Sequence, residues 1–313
     1  MEFSIKDIGK SLISLLIIAG FVYYLYGNRN AFSISLVISW FHIATLGLLI
    51  LISWIANCLQ LILLLRMEGV RVGFWENMLI QAATLMGNYL PMRIGSLIRF
   101  RYFKKVHGLN YLKFGGIVGL RTVILLTLAG LFGCIGAVGL ASSGTSVGWN
   151  IYVVFVCMLL IPSLCFLTPL SKFLRRRNLT SGLLSDFLSS FVTIRRHPGT
   201  IFSLIGLLLL QNFILAARLY VSFDAVQVDI TWWTFLILAP TTTILSFLSI
   251  TPGNLALREW VIGILSAMAG YDFSSGVFAG TVDRAILLVT TFVFGTMGIL
   301  FVAFRFKKAS ENR

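Results

Sequence analysis

The sequence predicts an all-α polytopic integral membrane protein, with about six full spans and two re-entrant or broken helical hairpins arranged as an inverted repeat. Three observations carry that prediction. The composition is 58% hydrophobic and only 12% charged, with a mean hydropathy of +0.93, and a soluble domain of this size has too little interior to hide that much apolar surface. Apolar runs long enough to cross about 30 Å of hydrocarbon recur along the chain. Two stretches interrupt these runs, each with a proline, a short break and a helix that runs to a glycine. Lipid offers nothing to an unpaired backbone amide, so apolar runs with few strand signals are read as helices.

The first run, SLISLLIIAGFVYYLY at 11–26, follows Lys6 and Lys10 without a small-x-small cleavage site. It reads as an uncleaved first span. Residues 36–65 cross back, 75–91 enter and return, and 92–113 then stay on the cytoplasmic side. Spans at 114–140 and 150–170 follow, then a basic amphipathic cytoplasmic segment at 171–199. Residues 201–222 cross outward, 232–270 enter and return from outside, and 276–304 cross back. On this path only Arg29 of the 25 Lys and Arg faces out, while Arg121, Arg218, Arg258 and Arg284 lie within apolar segments. The outside loop 223–231 instead carries Asp224 and Asp229. That bias places both termini in the cytoplasm and supports two elements that do not cross fully.

The formal net charge of +14 follows from the same bias, and no basic soluble module points to nucleic acid. Cys58, Cys134, Cys157 and Cys165 lie inside apolar runs without a CxxC pair and read as small buried hydrophobes. His42, His107 and His197 have no partner at metal-ligand spacing, and no nucleotide or hydrolase fingerprint appears. Neither a metal, nor a cofactor, nor a catalytic residue is expected.

The whole chain, 1–313, reads as a single transmembrane domain, with 36–140 as the first repeat half and 201–304 as the second. LPMRIGSLIRFRYFKKVHG and TPGNLALREWVIGILSAMAG each run from a proline through a short break into a helix that stops at a glycine, Gly108 or Gly270. A new span follows each, opening with Gly119 and Arg121 or with Gly280 and Arg284. The breaks are expected at Pro91, Gly95, Pro252 and Gly253. Proline suits the first turn of a half-helix because it lacks the amide that turn would orphan.

Broken helix ends expose amides and a positive dipole, and arginines beside them make a place for phosphate or carboxylate. Arg93 and Arg258, next to the breaks, are the favoured functional cations. For Arg99, Arg101, Lys104 and Lys105 the leading reading is anchorage at headgroup level, with ligand contact as the alternative. Arg258–Glu259 and Asp283–Arg284 put charge within apolar surroundings, where an unpaired charge costs about 2.5–3.5 kcal/mol on insertion scales. Arg258 is placed to meet Asp283, and Glu259 to meet Arg284 or Arg121, across helices. Such a network of Arg121, Asp283 and Arg284 either locks the bundle or grips a headgroup or proton. Arg218 lies near a span end, where snorkelling accounts for it. Residues 171–199 are either a surface helix on an anionic leaflet or a docking surface.

The two hairpin stretches resemble the signature regions of the lysylphosphatidylglycerol synthase/flippase transmembrane family, over roughly residues 10–305. Pro91, Arg93, Gly95 and Arg99 match the first family motif; Pro252, Gly253, Arg258 and Glu259 match the second. Arg121 and Arg284 match arginines that follow. Ser96 stands where the family usually has glutamate, and Asn254 and Ala256 stand where it has glycines. The resemblance implies a flippase-like membrane protein that moves an anionic, zwitterionic or polyprenyl-phosphate-linked lipid. Arg93, Arg99, Arg258 and Glu259 would then be the headgroup set. The chain stops shortly after its last span, so no aminoacyl-transfer domain, and hence no enzyme activity, is expected. Membrane lipids are the expected partners, in a prokaryotic cytoplasmic membrane. The alternative is a non-transporting scaffold for a glycosyltransferase or lipid-modifying enzyme, and a homo-oligomer stays open.

Overall fold

The structure is a computed structural model that describes residues 5–30, 38–90, 94–145, 148–167, 197–247 and 251–311. Helix α1 (Ile5–Gly27) precedes α2 (Trp40–Met67), and a hairpin of α3 (Phe74–Gly87) and α4 (Ile94–His107) follows. Next come α5 (Tyr111–Ser142), α6 (Trp149–Leu167) and α7 (Pro198–Asp224). A second hairpin joins α8 (Trp232–Leu245) to α9 (Leu257–Met268) through a 3-10 turn at Pro252–Asn254, and α10 (Phe273–Glu311) runs back along both hairpins.

Among the described residues all regular structure is helical. Helices α2, α5, α7 and α10 are long and apolar enough to cross a bilayer, and the apolar stretches of α1, α6 and α8 are shorter. Large apolar side chains cover the outside of the bundle: Val138, Val289, Leu300 and Phe304 are each more than half exposed. Water would penalise that surface, whereas lipid matches it.

Each hairpin folds back on itself. At the base of the first, Tyr102 Oη donates to Glu76 Oε1 at 2.7 Å, and His107 Nε2 lies 2.9 Å from the same oxygen. Near its tip the two legs touch through glycines, since a Cβ on Gly87 would stand 2.6 Å from Gly95 Cα. At the base of the second, the Thr231 amide donates to Tyr271 Oη at 2.9 Å. Near that tip, Asn254 Nδ2 donates to the Leu245 carbonyl at 2.6 Å.

The bases lie at opposite ends of the bundle. Helix α5 has 32 residues, about 48 Å at the usual rise. The first base lies by its start, where Lys104 sits 4.2 Å over the Tyr111 ring. The second lies by its end, where Trp233 packs on Gly139. The tips meet in between: the Gly253 amide donates to the Asn88 carbonyl at 3.0 Å. Tyr89 covers Gly253 so closely that a Cβ there would be 2.5 Å from its ring. Helix α10 binds both hairpins through small residues, Gly276 and Gly280 against α9 and Gly295 and Gly298 against α3. Separate apolar clusters support the two halves, one around Ile80, Phe103 and Phe114 and one around Phe223, Phe235 and Ile262.

Two expectations change. The sequence path keeps 92–113 on the cytoplasmic side after 75–91 return; in the structure residues 94–107 form α4, which packs back on α3 as the second leg of the hairpin. The reason is that the stretch is two-faced: Tyr102 and Phe103 are fully buried, while Arg101, Lys104 and Lys105 are exposed. Pro252 was expected to open the second half-helix, but it opens the 3-10 turn, and α9 begins at Leu257. Positive φ at Gly253, Asn254 and Ala256 keeps the intervening backbone out of the helix. The glycine stops lie where the sequence puts them, with φ of 68° at Gly108 and 87° at Gly270, the left-handed geometry that ends a helix.

Candidate functional site

Where the hairpin tips meet, the bundle forms a partly open cavity of about 490 Å³. Its wall draws on both hairpins and on α2, α5, α7 and α10. Arginines dominate its charge: Arg99, Arg121, Arg218, Arg258 and Arg284 all reach it, and no carboxylate is among its described lining residues.

The arginines form two groups. On one wall, Asp283 is fully buried and takes a forked pair of bonds from Arg218, Nε at 2.9 Å and Nη2 at 3.0 Å. Arg258 Nη1 reaches the same carboxylate at Oδ2, 2.7 Å away, the oxygen that Arg218 Nη2 also bonds. Arg284 donates to the Gly253 carbonyl, lies 5.3 Å over the Tyr89 ring, and stands 3.8 Å from Glu259. Glu259 itself is 1% exposed and occupies the first turn of α9, where a carboxylate complements the helix dipole.

The other wall holds Arg99 and Arg121, neither of which forms an ion pair with a carboxylate among the described residues. Arg121 Nε donates to Gln60 Oε1 at 2.7 Å, and its Nη2 donates to Asn57 Oδ1. Gln60 is held in turn by Gln211 Oε1 at 2.8 Å. Arg99 has no hydrogen-bond partner for its buried Nε among the described residues. The same is true of Arg258 Nη2 and Arg284 Nε.

Guanidinium groups stay protonated in proteins. Five of them line the cavity, and two carboxylates, Asp283 and Glu259, stand against them, so the described residues sum to 5 − 2 = +3. Arginine is not a metal ligand, and both carboxylates face arginines. The arrangement suits an anion, because forked N–H groups match the oxygens of phosphate or carboxylate.

The structure thus brings together Arg99, Arg121, Arg258 and Arg284 around one cavity, with Glu259 and Asp283 behind the wall. Gly95, Pro252 and Gly253 lie at the breaks, and Ser96 lines the cavity 3.4 Å from Asn88 Oδ1. Pro91 and Arg93 lie outside the described residues, as does 171–196 of the expected amphipathic segment. Arg218 corrects the snorkelling expectation. It is buried to 6% exposure and bound to Asp283, because α7 continues to Asp224 and leaves it well inside the helix. Sequence reasoning also missed Asn57, Gln60 and Gln211. Their signal was available: amides interrupting the apolar runs WIANCLQLILLL and LLLLQNFILA.

Fold and site together define a multi-pass, membrane-embedded protein with a partly open, cation-walled cavity. Residues 11–295 match the model of the family described as the lysylphosphatidylglycerol synthase TM region, and the chain belongs to that family. No curated protein and no solved structure matches it.

Proposed function

We propose that this protein carries a lipid headgroup across the bilayer through the cavity between its hairpin tips, as a flippase-like translocase. The observation that carries the reading is the arginine wall of that cavity, +3 by formal charge, in a membrane domain of a lipid-related family. A buried charge inside a bilayer is costly and marks a substrate path. The supporting geometry is two hairpins that enter from opposite ends and join at Gly253 and Asn88, which fits an inverted repeat around a midplane site. Arg99, Arg258 and Arg284 hold the headgroup, while Asp283 and Glu259 keep the arginines in place. In this reading both termini lie in the cytoplasm of a prokaryotic cell, and the Lys and Arg bias supports that orientation of the termini.

Reconstitution in liposomes tests this, with transbilayer movement of headgroup-labelled phospholipids compared between wild type and Arg99→Ala. Arg99 has no carboxylate to strand, so its loss leaves the fold in place and removes a charge-assisted contact, slowing movement about tenfold or more. Wild-type protein that moves no lipid, or Arg99→Ala protein that moves lipid at the wild-type rate, would overturn the reading.

A further inference from the structure

Two arginines of the cavity are gripped by the same edge and differ in what grips it. Arg218 presents Nε and Nη2 to the Asp283 carboxylate, at 2.9 and 3.0 Å. Arg121 presents the same two nitrogens to neutral oxygens, Nε to Gln60 Oε1 at 2.7 Å and Nη2 to Asn57 Oδ1. We propose that Gln60 is a positioning residue of the headgroup site. It holds Arg121 by an uncharged oxygen, so that the guanidinium keeps its full charge for a phosphate group. This rests on the headgroup reading above and adds Arg121 to the residues that hold the headgroup.

Three observations converge. The first is the contrast between the two forks. A carboxylate on Nε and Nη2 fixes a guanidinium and cancels its charge together, as Asp283 does for Arg218. Asn57 and Gln60, both on α2, give Arg121 the same two bonds and cancel nothing. Arg121 is partly exposed and lines the cavity, with no ion pair to a described residue. An uncompensated charge within a bilayer is costly and marks a functional group.

The second is the orientation of the Gln60 amide. Gln60 is fully buried and does not itself line the cavity. Its Nε2 donates to Gln211 Oε1 at 2.8 Å and to the Leu207 carbonyl at 3.3 Å. A carbonyl only accepts and a guanidinium only donates, so the amide has one workable orientation, with Oε1 toward Arg121. Both its hydrogens are then used, and its oxygen is committed to Nε.

The third is where these amides lead. Gln211, on α7, lines the cavity; Gln60 ties it to α2, and Arg121 returns to the cavity from α5. Three helices thus fix one guanidinium before any ligand arrives, which lowers the ordering cost of binding.

The test titrates the full-length protein in a neutral detergent with acyl-labelled phosphatidylglycerol. The same variants are reconstituted in liposomes to follow transbilayer movement of that lipid. Gln60→Glu keeps the size of the side chain and an oxygen for Arg121 Nε, but neutralises the guanidinium. Gln60→Met also keeps the size and leaves the guanidinium charged, but removes its anchor. Gln60→Glu should weaken binding about tenfold, as should Arg121→Gln. Gln60→Met should weaken binding less, yet unfold at a lower temperature than Gln60→Glu, because it strands Arg121 Nε and Gln211 Oε1. Affinity and stability then rank the two Gln60 variants in opposite orders, which a glutamine that merely tied helices together would not produce. Affinity losses that follow the losses of stability would overturn the inference, as would wild-type affinity in Gln60→Glu or Arg121→Gln. If wild type moves lipid and Gln60→Glu moves it equally fast, the inference falls and the headgroup reading stands. Gln60-dependent binding of inorganic phosphate, without binding or movement of lipid, would overturn the headgroup reading and leave the positioning role in place.

Discussion

Asp283 has no exposed surface, and Arg218 and Arg258 approach it to 2.8 and 2.7 Å. Removing one partner of a buried ion pair costs about 3–5 kcal/mol because the other charge is left in low dielectric. Asp283→Asn strands two guanidiniums at once, so it should lose about 3–5 kcal/mol of stability. Arg218→Met leaves Arg258 on the carboxylate and should lose less. Thermal unfolding of the variants in one detergent reads this ranking, and equal losses would show that Arg258 does not hold Asp283 unaided. The Arg258–Asp283 pairing was legible in the sequence, because two opposite charges in apolar runs must find each other or pay for isolation. Arg218 was not legible, since its distance from the helix end depends on where α7 stops. Arg99 was half legible: motif and charge marked it, but only the return of α4 along α3 turns it toward the cavity.

At the scale of elements, the joint between the 3-10 turn and α9 is unusual. Gly253, Asn254 and Ala256 have φ of 58°, 55° and 67°. A Cβ in that region costs about 1–2 kcal/mol for most residues, and asparagine tolerates it better than alanine. Asn254 and Ala256 occupy positions where the resemblance expected glycines, so the backbone keeps a glycine-like path without the glycines. Asn254 compensates through its bond to the Leu245 carbonyl at 2.6 Å. Ala256, 1% exposed, has no polar group to do so. Ala256→Gly should therefore stabilise the protein by about 1 kcal/mol, seen as a higher unfolding temperature. A loss of stability would mean that the methyl group's packing outweighs its backbone strain. Glycine stops at Gly108 and Gly270 were readable from sequence because a helix ending in left-handed geometry prefers that residue. The start of α9 was not, since Pro252 suits a 3-10 turn as well as an α-helix and tertiary contact with Tyr89 decides between them.

For the whole molecule, the decisive relation is that the hairpin bases lie at opposite ends of α5 while the tips share a hydrogen bond. Similar motifs made the two hairpins recognisable in the sequence, and the Lys and Arg distribution suggested opposite entry. That the tips touch could not be read there, because it depends on how deep each hairpin reaches and on Tyr89 lying over Gly253. Opposite entry has a direct consequence in a membrane. Lys104, at the first base, and Asp229, just before α8 at the second, are both exposed. With Cys58, Cys134, Cys157 and Cys165 replaced by serine, Lys104→Cys should react with a membrane-impermeant maleimide only from the cytoplasmic side. Asp229→Cys should react only from the other side. The contrast between right-side-out and inverted vesicles reads both at once. Labelling of the two positions from the same side would leave no barrier between the hairpin bases, and a cavity reached from one face alone cannot pass a headgroup to the other. Labelling from opposite sides would place the Asn88–Gly253 contact between the two hairpin bases, at the level of the arginine-lined cavity.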